Sequence, residues 1–329
     1  MSFKKSLTAE SNSPSILRYA PGPVLVILLF FITPLSASAY DILLGTGNVE
    51  SFSYFSGRML CRNINRQLKD VNCKVQAADD EIDSLSNLQN GSLDLAIINS
   101  TILDAAVNKT GLFQFLDINY ENLTILTPLY DRPIGVLVRS NAGISSLNDL
   151  IGKRINGGAP GSIERRAMEL IMEAKGWPVE VFERFEELPT SLSQDTMAFC
   201  QGTVQMMISI GVHPALSTQR LIDNCKAVFL DIDDQAIDKL IASRPSFWKT
   251  VISAASYSKP ARTFGTRAIL VASNVIDKET GYDITKALYD NKARLQSSHP
   301  ALSLYSIEEA AKGIKGLHLH EGAEQFFSQ

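Results

Sequence analysis

Lys153-Arg154-Ile155-Asn156-Gly157-Gly158-Ala159-Pro160-Gly161-Ser162-Ile163-Glu164-Arg165-Arg166, running on through 167–175 to Gly176, has the pattern of a strand, a glycine-rich turn and a helix. A short apolar strand reaches Ile155, the glycines at 157, 158 and 161 let the backbone turn tightly, and Ser162 is the natural N-cap of a following helix. Met168, Ile171, Met172 and Lys175 stack at helical spacing, and Gly176 supplies the stop. The free N–H groups of the first helical turn and the positive end of the helix dipole then face the loop, where a carboxylate or phosphate would sit.

Outward from this unit the chain repeats the same grammar. Strands are expected at 41–46, 73–77, 93–98, 204–210 and 227–232, and helices at 54–68, 81–89, 101–107, 146–151, 189–200, 214–224 and 233–242. The helix over 54–68 is expected to bury Phe55, Met59, Ile64 and Leu68. Segments 126–130 and 135–139 bracket Asp131-Arg132-Pro133, read as a crossing between two lobes, and 263–273 reads as the return strand. Helices at 283–297 and 307–312 are expected to end the chain. This βαβ rhythm predicts parallel sheet with helices on both faces, and ligands in such sheets bind beyond the carboxyl ends of the strands. The polar loops 46–54 and 99–101 lie at such ends.

The termini and composition narrow the class. Lys4, Lys5 and Arg18 form a basic lead, 24–32 is an uninterrupted apolar run, and Ala37-Ser38-Ala39 fits the small-residue cleavage rule, so 1–39 reads as a secretory signal cut between Ala39 and Tyr40. A retained anchor is the competing reading, although the run is short for a bilayer span. The periplasm is the expected location. A net charge of −4 argues against a nucleic-acid partner. Residues 40–329 suit two lobes better than one core. Cys61 and Cys73 are close in sequence, as are Cys200 and Cys225, and an exported protein is expected to pair them so, one bridge per lobe. Four cysteines allow three connectivities, and spacing alone does not choose. Zinc is the alternative, without a C-x-x-C or a nearby histidine pair to support it.

A family pattern runs through these residues. Gly45-Thr46-Gly47 with Tyr54 and Gly57, Cys61-Arg62 with Cys73, Gly91–Ile97, Asn108-Lys109-Thr110-Gly111, Gly158-Ala159-Pro160-Gly161-Ser162, Glu173–Trp177, His213-Pro214, Thr263-Phe264-Gly265, His299-Pro300-Ala301 and His320–Ala323 occur in the order and spacing of one family. Over nearly its whole mature length the chain resembles the TAXI family of TRAP-transporter solute-binding proteins. The resemblance implies a two-lobed α/β fold of the periplasmic-binding-protein type II kind, each lobe a mostly parallel sheet flanked by helices, with the ligand cleft between them. It also implies capture of a small anionic solute, a glutamate-like amino acid or dicarboxylate, for delivery to TRAP-type permease subunits. The corresponding division is 1–39 signal, 40–132 with 268–329 as the first lobe, and 133–267 as the second. The chain departs from the family at Asn48, Glu50, Ser51, Ser53, Thr101 and Ile163-Glu164, and it reads Gly211-Val212 where the family has Val-Gly. Glu50 and Glu164 add negative charge beside the expected anion site.

The candidate solute ligands are Thr46, Gly47, Tyr54, Asn99, Ser100, Gly161, Ser162 and Arg165. Thr46 and Gly47 offer backbone donors at a strand end, and Tyr54 offers an aromatic face with a hydroxyl. Asn99 and Ser100 either cap a helix or face the cleft. Arg165 has the planar fork to pair with a carboxylate, set against its alternative as one of several charges on a solvated helix face. His213 reads as a turn residue, and His318-x-His320 lacks acidic partners, so no metal and no cofactor are expected. A monomer is expected. The competing functions are a periplasmic sensor for a signalling partner and a secreted serine hydrolase using Ser162 and His213, although no G-x-S-x-G, H-E-x-x-H or P-loop is present.

Overall fold

A computed structural model describes residues 40–116, 118–120, 122–189, 193–253, 257, 259–310 and 317–329. The expected signal segment, the start of the helix expected at 189–200, and the end of the one expected at 307–312 lie outside the described residues. The first half of the chain builds strand β1 (Tyr40–Thr46), helix α1 (Phe52–Gln67), β2 (Val71–Ala77), α2 (Glu81–Gln89), β3 (Leu95–Asn99), α3 (Ser100–Val107) and the long β4 (Thr124–Arg139). Then follow β5 (Arg154–Asn156), α4 (Ile163–Lys175), β6 (Arg184–Glu186), α5 (Ser193–Gln201), β7 (Met206–Ile210), α6 (Leu216–Cys225), β8 (Ala227–Phe229), α7 (Gln235–Ser243) and β9 (Trp248–Ile252). The return strand β10 (Ala261–Ala272) leads to α8 (Lys278–Asp290), α9 (Lys292–Ser298), α10 (Ile307–Ala310), β11 (His318–Leu319) and α11 (Glu321–Phe327).

The strands join in the order β2-β1-β3-β10-β4-β7-β5-β6, with β8 and β11 also on β4 and β9 on β10. Sheet and helices pack through alternation. Leu95 and Ile97 of β3 enter one core with α1 and α8, while Ala96 and Ile98 enter another with α2 and α3. Beyond the middle of β4 the cores change: Tyr130 belongs to the core of α1, whereas Ile134 belongs to a core built with α4 and α7. On β10 the same change falls between Ala268 and Phe264. The disulfides are Cys61–Cys73, tying α1 to β2, and Cys200–Cys225, tying α5 to α6, with Cα separations of 5.0 and 4.5 Å. This is the expected pairing.

Several expectations are corrected. The expected α/β class with flanking helices stands, but the sheet is mixed rather than mostly parallel, because β10 runs antiparallel to both β3 and β4. Asp131-Arg132-Pro133 is no break between strands but the middle of one strand of 16 residues. Proline removes a ladder donor, and Pro128 is accommodated where the β4–β10 register shifts, at Ile269. Helix α1 starts at Phe52, capped by Ser51, and buries Ser53, Ser56, Gly57, Leu60, Cys61, Asn63 and Ile64, leaving Phe55 and Met59 only partly covered. Small residues face the sheet because the helix lies so close that a Cβ on Gly57 would stand 2.7 Å from Thr46 Cγ2. The helix expected at 146–151 is a 3₁₀ turn, Leu147–Leu150, closed by a Ser146–Asp149 capping box. The helix expected at 283–297 starts earlier, at the Asp277 cap, and is interrupted at Asn291; α11, with β6, β9 and β11, went unpredicted.

At the centre of the sheet Gly265 pairs with Pro133, and a Cβ there would lie 2.4 Å from the Arg132 carbonyl oxygen. Backbone is the obstacle, so neither strand can yield by a rotamer change. Gly265→Ala is expected to lower the unfolding free energy by about 1–3 kcal/mol, read as a shift in the urea midpoint; an unshifted midpoint contradicts the close approach.

Candidate functional site

Strand registers bring the carboxyl ends of the two strand sets toward each other. Asn99, ending β3, is level with Ala268 of β10 and through it with Tyr130 of β4. From the other side β7 runs against β4 and ends at Ile210, level with Ile134, while β5 runs parallel to β7 and ends at Asn156, level with Met207. The two levels are four residues apart on β4, about 13 Å at ~3.3 Å per residue. The loops 46–51, 157–162 and 211–215, with the start of α3, therefore gather around the crossover of β4 and β10. Surface hollows of about 600 and 620 Å³ lie elsewhere, one along α4 and α7 at Glu173 and Asp234, the other by Tyr40 and Gln67.

The candidates on the β1 and β3 side are largely occupied by the fold. Thr46 is buried, its hydroxyl donating to the Gly47 carbonyl at 3.0 Å and its own carbonyl accepting from Ser84 Oγ at 2.8 Å. The Gly47 N–H donates to Ser53 Oγ at 3.1 Å. Tyr54 is half-buried in the first turn of α1, its N–H donating to the Ser51 cap. Asn99 caps α3, accepting from the Thr101 N–H at 3.0 Å, and donates to Thr266 Oγ1 at 2.8 Å. Ser100 is fully buried, its hydroxyl donating to the Ser246 carbonyl at 2.8 Å and accepting from the Arg267 N–H at 3.1 Å. Both residues tie the start of α3 to β10.

On the β5 side the quoted stretch folds as read. Gly158 and Gly161 have φ of +87° and +79°, Ser162 accepts from the Arg165 N–H at 3.1 Å, and Gly176 closes α4 in the left-handed conformation. Asn156 fixes the loop by accepting from the Gly158 and Leu188 amides at 3.1 and 3.0 Å. Gly157 lies under the Phe185 ring, where a Cβ would fall 2.0 Å from Cζ. Arg165 stacks on that ring at 4.8 Å and pairs with Glu169 at 2.8 Å and with Glu187. The two carboxylates take Nε and Nη1 of the Arg165 fork and partly neutralise its charge. Gly161 is exposed and Ser162 half-exposed at the tip.

A sequence model of the NMT1-like family matches residues 44–329. The chain belongs to that family. Among solved structures, this NMT1-like chain is similar to a TctC solute-binding protein from Polaromonas, solved without ligand, at 15% identity over 76% of this chain and 83% of that one, with a TM-score of 0.53. It is also similar to the periplasmic aliphatic sulphonate binding protein SsuA from Escherichia coli, at 14% identity over 88% and 83%, with a TM-score of 0.50. At such identities the likeness is one of fold.

Sequence reading missed the charged residues of the crossover in the NMT1-like chain. Successive strand residues point to opposite faces, so Asp131 and Arg132 on β4, facing Arg267 and Thr266 on β10, divide into two clusters. In one, Arg132 Nη1 donates to Glu81 Oε1 at 3.1 Å, and Glu81 Oε2 accepts the Asn99 N–H at 2.7 Å; burial pushes the Glu81 carboxyl up against the opposing pull of Arg132. In the other, Asp131 accepts from Arg267 Nε at 3.2 Å, from Thr250 Oγ1 at 2.5 Å and from the Tyr305 hydroxyl, while the Arg267 guanidinium lies over the Trp248 and Tyr305 rings at 4.7 and 4.3 Å. The available signal was the Asp-Arg pair inside an apolar strand.

The histidines are held by the fold. His213, ahead of a cis Pro214, bonds through Nδ1 to the Tyr257 hydroxyl at 2.8 Å, and Ser162 Oγ is engaged with the Arg165 amide. His320 donates to the Ile276 carbonyl at 3.0 Å and accepts from the Gly322 amide at 3.2 Å. Burial pushes the His213 imidazole down to about 4 from its ordinary 6.5. Between those values the unfolded chain binds a proton that the folded chain refuses, so stability is full above 6.5 and falls as pH drops toward 4. The expected slope from this residue is at most about 1.4 kcal/mol per pH unit. Urea midpoints between pH 7 and pH 4.5 should fall less steeply for His213→Gln than for the parent; equal slopes would remove His213 as a source.

Proposed function

We propose that this protein is an extracytoplasmic solute-binding receptor of a transporter, and that residues 40–132 with 268–329 and residues 133–267 are lobes that close on a solute at the β4–β10 crossover. The carboxyl ends of β3 and β7, which face each other at Tyr130 and Ile134 of β4, carry this reading, because open α/β sheets bind ligands beyond those ends. α3 begins at that level, and α1 and α4 begin on the loops that follow β1 and β5, each offering the positive end of a helix dipole. The solute is a small anion, a glutamate-like amino acid or dicarboxylate. Its acid group meets first-turn amides of α1 and α4 that the Ser51 and Ser162 caps leave over, with Thr46, Gly47, Tyr54, Asn99, Ser100, Gly161, Ser162 and Arg165 forming or bracing the walls. The TAXI-like motifs support a TRAP-type permease as the recipient, and the periplasm as the location after removal of 1–39. The Polaromonas and Escherichia coli neighbours carry solute-binding and sulphonate-binding descriptions, which accord with a binding role.

A solute that bridges both lobes stabilises the closed form by its extra contacts there. L-Glutamate or succinate is expected to reduce the radius of gyration in small-angle scattering and to raise the melting temperature, by about 2.7 kcal/mol of added stability at a hundred times Kd. Mass spectrometry of acids released from the purified protein on denaturation identifies the natural solute. If neither acid compacts or stabilises the protein and no carboxylic acid is released, the anion reading fails.

A further inference from the structure

Arginines near the crossover differ in what they have left to give. A guanidinium carries five N–H donors in a planar fork and holds a carboxylate best with two parallel bonds. Arg165 serves two carboxylates and covers the Phe185 ring. Arg267 serves Asp131 and lies between two aromatic rings, its side chain 12% exposed. Arg132 makes one bond, Nη1 to Glu81 at 3.1 Å, and its side chain is 27% exposed. Its remaining donors meet no acceptor among the described residues.

Arg132 is also placed by rigid elements. It lies on β4 between the level of Asn99 and the level of Ile210, with Thr266 as its β10 partner, and Thr266 is bonded to Asn99. Glu81, at the start of α2, holds one edge of the fork through Oε1, while its Oε2 is tied to the Asn99 amide. The fork is thus fixed on one side and open on the other, the arrangement a planar acid needs for recognition without reorganisation of the protein.

We infer that Arg132 is the residue that receives the carboxylate of the solute, its free N–H edge supplying the paired donors that the helix starts alone lack. The inference rests on the reading of the gap as a solute site. Arg132 lies on β4, whereas Glu50 stands on the loop before α1 and Glu164 in the first turn of α4, so the departing residues there are left to select the rest of the solute.

The test titrates the full mature chain with L-glutamate and with succinate by calorimetry, for the parent, Arg132→Gln, Arg132→Lys and the double variant Glu81→Gln/Arg132→Gln, which removes both charges so that no buried carboxylate is left alone. Circular dichroism and melting establish that each variant is folded. The expected result is a loss of affinity of about 30-fold or more in Arg132→Gln and in the double variant, with Arg132→Lys intermediate because it keeps the charge and loses the fork. A folded Arg132→Gln or double variant that binds the acid within threefold of the parent overturns the assignment and leaves the solute-site reading intact. A parent that binds neither acid, and releases none on denaturation, overturns both.

Discussion

Two antiparallel strands cross the centre of this molecule, and the closeness of their backbones is the constraint on which the rest depends. Gly265 can lie beside Arg132 and Pro133 only because it has no Cβ. β3 ends level with Ala268 on one side of it, and β7 ends level with Ile134 on the other.

Charge is distributed around this crossing by the pleat itself. Because consecutive residues of a strand point to opposite faces, Asp131 and Arg132 must find partners on different sides, and they do so in elements far away in sequence: Arg267 at a separation of 136 residues, Glu81 at 51. The Asp131 cluster is closed, with three donors on one carboxylate and two aromatic faces on the arginine. The Glu81 cluster leaves much of its arginine unspent. Burying either pair is costly in desolvation and tolerable only with such geometry, so the asymmetry between them is informative about where a solute acid can add bonds.

Much of the local structure was legible. Ser162, Asp80, Asn99 and Asp234 cap helices where a polar residue precedes a periodic apolar run, and Gly176 ends α4 with φ of +64°. Candidate site residues were legible as loop residues but not in their roles. Asn99 and Ser100 turned out to bond Thr266, Ser246 and Arg267, groups more than 140 residues away, and nothing in the local text of 99–101 distinguishes a hydroxyl that meets a solute from one that pins a crossover. Arg165 likewise met Glu187 across a loop that local spacing does not measure.

By itself the sequence determined the strand-loop-helix units, their caps and the α/β class, because each of these is set by interactions within a few turns of chain or by the alternation of apolar residues. Only tertiary structure decided that 126–139 is one strand, that β10 returns antiparallel between β3 and β4, and which carboxylate each arginine keeps. Those outcomes depend on registers between distant strands, where a shift of one residue reverses every side chain, and on close backbone approach, which no local preference encodes.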